Sequence, residues 1–94
     1  TSYLRGAAGY ILVVDGTRKP TWQSAVKLQQ AVTAQTGPRP FACLLNKADL
    51  KDQWEVNAEL TAPQIAQGWK LIESSAKTGT GVEDAFTWLA QQLL

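Results

Sequence analysis

Three short apolar runs divide this chain, and each one is followed by a segment with helical spacing or a helix-start signal. The runs cover residues 9–15, 41–45 and 69–74. The first two are rich enough in apolar residues to form strands that are buried on both faces. Because parallel strands need crossover connections, this alternation predicts an α/β fold with a parallel sheet between layers of helices.

Three helices are predicted from spacing and capping signals. Apolar residues at helical intervals predict the first helix over 22–35, and its inward face comprises Trp22, Ala25, Leu28 and Val32. Residues 51–60 are polar and predict a loop, after which Thr61-Ala62-Pro63-Gln64 has the pattern of a capping box. The same pattern at Thr80-Gly81-Val82-Glu83 predicts the last helix, with an apolar face formed by Val82, Ala85, Phe86, Leu89 and Leu93.

Composition narrows the class of protein. The chain has 94 residues, of which 45% are hydrophobic, and a formal net charge of +1. It can therefore bury a core, and its charge gives no indication of nucleic-acid binding. The single cysteine, Cys43, predicts a buried structural thiol, and the lack of histidine argues against a zinc site. No run is apolar enough to span a bilayer, and no signal peptide or prenylated cysteine is recognised, so we expect a cytoplasmic location.

The strongest motif is Asn46-Lys47-Ala48-Asp49, which directly follows the second apolar run. A carboxylate there can accept two hydrogen bonds from the paired N–H groups on one edge of guanine. Adenine lacks that pair, and a site built for two donors leaves its own polar atoms unpaired when the wrong base enters. A polar turn is the plain alternative, but the position after a buried strand favours a guanine-reading corner.

A second motif, Ser75-Ala76-Lys77, follows the third apolar run, and by itself it could be an ordinary loop of small residues. Asp15 ends the first run, so all three polar segments should lie at the carboxyl edge of the sheet, where ligands of parallel sheets bind. Together the two motifs resemble the N-K-x-D and S-A-K motifs of small GTPases of the Ras superfamily, in the style of the Rab branch. The flanking segments 3–7 and 81–86 are similar to that family as well.

This resemblance implies a role for each of six guanine-nucleotide-binding residues. Asp49 would accept from the guanine N1–H and exocyclic amine, and Ser75 would brace it. Asn46 would bond the N7 side and tie the loops together. The stem of Lys47 would cover one face of the base, and Lys77 would shield the other side. The backbone N–H of Ala76 would donate to the guanine O6.

The resemblance covers only half of a nucleotide site. No G-x-x-x-x-G-K-[ST] phosphate loop and no D-x-x-G segment occurs in these 94 residues, so no catalytic residue and no metal ligand is predicted. We expect residues 1–94 to be the C-terminal half of a P-loop small-GTPase domain, formed of three β–α units. The parent would hydrolyse GTP with Mg²⁺; this chain alone would not hydrolyse GTP and would bind GTP or GDP weakly or not at all.

The alternative is a non-enzymatic half domain that folds by oligomerising and acts as a protein-interaction module. In the family the first strand would lie beside the segment from Tyr10 to Val14, so its absence would leave an open edge and uncover Phe86 and Leu89 on the last helix. We therefore expect self-association through that edge. Trp54 lies in a polar segment, where it could anchor a loop or form an exposed contact.

Overall fold

The computed structural model describes residues 9–93 and has a parallel sheet with the strand order β1-β2-β3. Its elements are β1 (Tyr10–Asp15), α1 (Lys19–Thr36), β2 (Phe41–Asn46), a 3-10 helix (Ala48–Gln53), α2 (Ala58–Ala66), β3 (Lys70–Glu73) and α3 (Val82–Gln92). The predicted α/β class and parallel sheet are confirmed. The family-like segment 3–7 lies outside the described residues.

Strand register brings the polar ends of the strands to one edge. Asp15 pairs with Asn46 at the end of β1 and β2, and Leu45 pairs with Glu73 at the end of β3. Because all three strands run in the same direction, the loops that follow them leave the sheet side by side. This edge therefore carries every residue that the two sequence motifs single out.

Two apolar clusters cover the two faces of the sheet, which confirms the three-layer arrangement. The cluster on the α1 side includes Leu12, Val14 and Trp22, and the partly buried Trp54 packs against it. The smaller cluster on the α3 side consists of Ala42, Leu44 and Ala85. Cys43 is fully buried in β2, as predicted, and burial raises the pKa of its thiol to about 12.

Helix α1 confirms the predicted apolar face and extends beyond the predicted range. Trp22, Ala25 and Val32 are buried, and Leu28 is half-buried against the same cluster. The helix begins at Lys19 rather than at residue 22, because proline is compatible with the first helical turn.

The predicted start of α2 is wrong. The helix begins at Ala58, where the Asn57 side-chain oxygen accepts a hydrogen bond from the Leu60 N–H at 2.8 Å. Thr61, the predicted cap, lies inside the helix and is only 4% exposed. Asparagine caps helices at least as well as threonine, and the earlier start lets the Thr61 hydroxyl donate to the Asn57 carbonyl at 3.2 Å. The 3-10 helix likewise replaces part of the predicted loop.

Helix α3 also begins without the predicted capping box. Its N-cap is Gly81, at φ +82°, and no side chain caps the helix. A side chain at Gly81 would collide with the carbonyl oxygen of Glu73, so close approach of the two backbones requires glycine here. Leu89 is buried, which makes its predicted exposure wrong, because it packs beside Gly9. Phe86 is exposed, as predicted, with 60% of its surface accessible.

Candidate functional site: a polar corner at the carboxyl edge of the sheet

Asp49 lies in the first turn of the 3-10 helix and reaches across to the loop after β3. The Ser75 hydroxyl donates to Asp49 Oδ1 over 2.9 Å. Ser75 is itself only 2% exposed, whereas Asp49 is solvent-accessible. A hydrogen bond from a buried, fixed hydroxyl orients an exposed carboxylate.

Asn46 joins the same two loops from the end of β2. Its Oδ1 accepts from the Ala76 backbone N–H at 3.1 Å and from the Ser74 hydroxyl at 3.4 Å. The backbone adds a parallel link, since the Ala48 N–H donates to the Ser74 carbonyl at 2.9 Å. In the described structure the Ala76 N–H is thus engaged by Asn46.

Lys47 connects the corner to the loop after β1. Its Nζ lies 2.9 Å from Asp15 Oδ2. The Thr17 backbone N–H and hydroxyl donate to the other oxygen, Asp15 Oδ1, at 2.9 and 2.6 Å. Burial works to raise the pKa of Asp15, but the hydrogen bonds from Thr17 and Lys47 outweigh it and lower that pKa below its usual value.

Comparison with known proteins shows the family of this chain. The family model described as "Ras family" matches residues 1–94. The chain belongs to the Ras family. It is 43% identical to the Ras-related protein RABF2a of Arabidopsis thaliana over 97% of its own length and 46% of that protein's. The Ras-related protein Rab-4 of Dictyostelium discoideum is 41% identical over 90% of the chain and 42% of the relative.

These relatives confirm the Rab-like resemblance seen in the two motifs. A third relative, the Ras-related protein Rab5A of Oryza sativa subsp. japonica, is 40% identical over 98% of the chain. The Ras-family chain spans about half the length of the curated relatives it matches, with 46% of RABF2a and of Rab5A covered.

In this Ras-family chain, direct contacts join four of the six predicted residues, Asn46 with Ala76 and Asp49 with Ser75. Lys47 lies in the same segment as Asn46 and Asp49, but its side chain pairs with Asp15. Lys77 lies in the same loop as Ser75 and Ala76, and its side chain is exposed.

Sequence reasoning missed two partners of the corner. Asp15 was placed at the correct edge without a role, although an acidic residue that ends a strand beside a lysine-bearing loop is a natural ion-pair candidate. Trp54 anchors the loop, the first of the two alternatives weighed for it. Its indole N–H donates to the Lys47 carbonyl at 2.7 Å, and its ring packs directly against Gly16.

A cleft beside the corner has a volume of about 500 Å³. It runs between β1 and α1 and is lined by Leu12, Val13 and Leu28, with Asp15 and Lys47 at its polar end. Asp49 and Ser75 do not line it. The cleft therefore reaches the part of the corner formed by Asn46 and Lys47, but not the Asp49–Ser75 contact.

Within residues 9–93, no group of three or more acidic, histidine or cysteine side chains is placed to hold a metal ion. Within the same part of the Ras-family chain, no helix has the length and apolar character needed to cross a membrane.

Proposed function

We propose that this chain binds the guanine base of GTP or GDP as part of a Rab-like small GTPase. The observation that carries the proposal is the 2.9 Å bond from the buried Ser75 hydroxyl to the exposed Asp49 carboxylate. A carboxylate held in this way can accept from the two adjacent N–H groups of guanine. Adenine offers no such pair, so the bound base would be selected by the cost of leaving Asp49 unpaired.

The neighbouring groups complete the recognition of the base. The Ala76 N–H would donate to guanine O6, exchanging its bond to Asn46 for the bond to the ligand, while the Asn46 amide would turn to the N7 side. Lys47 and Lys77 would flank the base with their aliphatic stems, a use that long cationic side chains allow. The Asp15–Lys47 ion pair, at 2.9 Å, supports this arrangement because it restrains Lys47 on one side of the corner.

The activity of the intact protein belongs to the same proposal. Residues 1–94 would form the C-terminal half of a small-GTPase domain, and the parent would hydrolyse GTP as a cytoplasmic switch. The phosphate contacts and Mg²⁺ would be supplied by the rest of that parent, since phosphoryl transfer depends on a phosphate cradle and a metal. This chain's own residues would read the base, and the isolated chain would bind the nucleotide weakly.

Titration with a fluorescent GDP analogue tests the proposal. We expect saturable binding to the chain, and loss of that binding in Asp49→Ala. Asp49→Asn sharpens the test, because an amide can accept from N1–H and donate to the C2 carbonyl of xanthine. This variant should therefore prefer xanthosine diphosphate over GDP. If Asp49→Ala and Asp49→Asn both bind the GDP analogue as the unsubstituted chain does, the proposal is contradicted. The matched control is Asp52→Asn, which changes an exposed carboxylate nearby.

A second candidate function is self-association as an interaction module, and the exposure of two apolar side chains favours it. Within residues 9–93, β1 pairs with a strand on one side only. Val13 on that strand is 41% exposed and Phe86 is 60% exposed. Open strand edges and exposed apolar groups both promote pairing between chains, so the edge from Tyr10 to Val14 would pair with a second copy about a two-fold axis.

Light scattering over a range of chain concentrations tests the second candidate. We expect the apparent mass to rise towards that of a dimer. A folded monomer at high micromolar concentration contradicts it, and leaves nucleotide binding as the function to be tested.

A further inference from the structure

Lys47 has an unusual backbone conformation for its residue type. Its φ and ψ are 72° and 41°, and among residues 9–93 it is the one residue other than glycine with positive φ. A side chain in this left-handed region crowds the neighbouring carbonyl, so such a residue persists only where its surroundings hold it. The contacts around Lys47 must therefore include the group that holds it.

One such contact comes from Trp54. Its indole N–H donates to the Lys47 carbonyl at 2.7 Å, and the backbone N–H of Leu50 donates to the same oxygen at 2.9 Å. The Leu50 bond is part of the 3-10 helix and recurs in such turns. The indole bond comes from seven residues away and is specific to this chain's tryptophan.

The indole is itself fixed from two sides. One face packs against Gly16, where any side chain would overlap the ring. The Gly16 carbonyl accepts from the backbone N–H groups of Glu55 and Val56, at 3.0 and 3.1 Å, which holds the Trp54 segment against the loop after β1. The Lys51 ammonium lies 4.3 Å from the centre of the ring, a cation–π distance. Trp54 thus reaches Lys47 from a rigid position.

We propose that Trp54 is a positioning residue for the base-reading corner, because its indole N–H holds Lys47 in the left-handed conformation. Lys47 lies between Asn46 and Asp49, which contact the loop after β3 from either side of it. A change of the Lys47 backbone would redirect the chain between them and misplace both contacts. The effect on ligand affinity rests on the proposed guanine-binding function, whereas the effect on the backbone does not.

The backbone effect is measured by NMR on the full chain without ligand. A residue with positive φ gives a strong intraresidue NOE between its amide and Hα protons, which makes Lys47 directly observable. In Trp54→Phe, which keeps an aromatic ring against Gly16 but lacks the N–H, we expect this signature to weaken. Trp69→Phe, a buried core tryptophan with no contact to the corner, is the matched control and should keep it.

Two outcomes of the NMR experiment overturn the inference. Retention of the Lys47 signature in Trp54→Phe means that the indole N–H is dispensable. Loss of the signature in both tryptophan variants means that general loosening of the core is enough to release Lys47 from the left-handed conformation, without a specific role for the indole N–H.

If Trp54→Phe does not fold, exchange of the Trp54 indole proton in the unsubstituted chain decides instead. A proton bonded to the Lys47 carbonyl exchanges slowly with solvent, whereas exchange as fast as in free tryptophan overturns the inference.

The ligand effect is measured as a double-mutant cycle with Lys47→Gly. Glycine adopts positive φ without crowding, so it does not need the indole bond. In the chain that keeps Lys47, we expect Trp54→Phe to weaken binding of a fluorescent GDP analogue roughly fivefold, which is the factor that one hydrogen bond contributes. In the Lys47→Gly variant, we expect the same substitution to have little effect on binding. Equal losses in the two backgrounds overturn the inference. No binding by the unsubstituted chain counts against the proposed function alone, and the NMR measurement still decides the role of Trp54.

Discussion

At the scale of single residues, the corner is organised by polar contacts from three different loops. Ser75 fixes Asp49, Asn46 spans to Ala76, and Lys47 reaches back to Asp15. Each contact joins residues that are far apart in the chain, so each depends on the sheet to bring its partners together. Two predictions concern individual side chains at this edge.

The first prediction concerns the pH dependence of stability through Asp15. Its folded pKa lies below the ordinary value of 3.8, so its contribution to stability is complete above that value and is lost as pH falls through the folded pKa. Asp15→Asn should therefore show a smaller loss of unfolding free energy between about pH 5 and about pH 2 than the unsubstituted chain. Urea unfolding followed by circular dichroism measures this, with the exposed Asp52→Asn as control. Equal pH profiles for Asp15→Asn and the unsubstituted chain would contradict it.

The second prediction concerns the contact between Gly16 and Trp54. A Cβ at position 16 would overlap the indole ring, so Gly16→Ala should lower the free energy of unfolding by about 1–3 kcal/mol, as overpacking does. The penalty should largely disappear when Gly16→Ala is introduced into a Trp54→Ala background, where the ring is absent. Urea unfolding of the four chains measures the coupling. A penalty of equal size in both backgrounds would place its origin in the Gly16 backbone instead.

At the scale of secondary-structure elements, α3 divides its apolar residues between two environments. Ala85 is buried against the sheet and Leu89 is buried beside Gly9, while Phe86 is exposed, as is Leu93, which directly follows the helix. Residues of similar hydrophobicity on one helix should therefore contribute very differently to its stability.

This division gives a third prediction. Leu89→Ala should cost about 2–5 kcal/mol of unfolding free energy, the range for a buried leucine, whereas Phe86→Ala should cost less than about 1 kcal/mol. The two variants are each other's control, since they lie three residues apart on the same helix. Chemical denaturation at low chain concentration measures both. A large cost at Phe86 would indicate that another surface covers it.

At the scale of the whole molecule, the described residues offer one surface for association at the β1 edge of the sheet, where Val13 is exposed. Val13 is 41% exposed although it belongs to a strand whose alternate residues are buried. Association through this surface would stabilise the folded chain by mass action.

The fourth prediction follows from mass action. If copies of the chain pair at β1, the thermal unfolding midpoint should rise with chain concentration, as binding to the native state alone requires. Val13→Lys should remove this dependence, because a charged side chain blocks an edge strand, while the exposed Ala66→Lys on α2 should leave it unchanged. Scanning calorimetry over a wide range of concentrations measures the midpoints. A midpoint that is independent of concentration in the unsubstituted chain would contradict pairing.

Sequence patterns predicted the sheet and the corner because both depend on strong, local signals. The apolar runs predict where the strands lie, and parallel strands determine which loops lie at the same edge of the sheet. The start of α2 was not predictable in this way, because Asn57 and Thr61 are both good caps and burial of Thr61 decides between them. The role of Trp54 could not be predicted either, since its bond to Lys47 depends on the left-handed backbone conformation of Lys47, which the residue types do not indicate.

The fit between Gly16 and Trp54 has a consequence for how sequences of this kind can diverge. The space that a side chain at position 16 would need is the space that the indole occupies. A larger residue at position 16 alone therefore meets a steric barrier, and passage to a different pair requires the residue at position 54 to become smaller before the one at position 16 becomes larger. In a library randomised at both positions, folded chains should accordingly show anticorrelated side-chain volumes at 16 and 54.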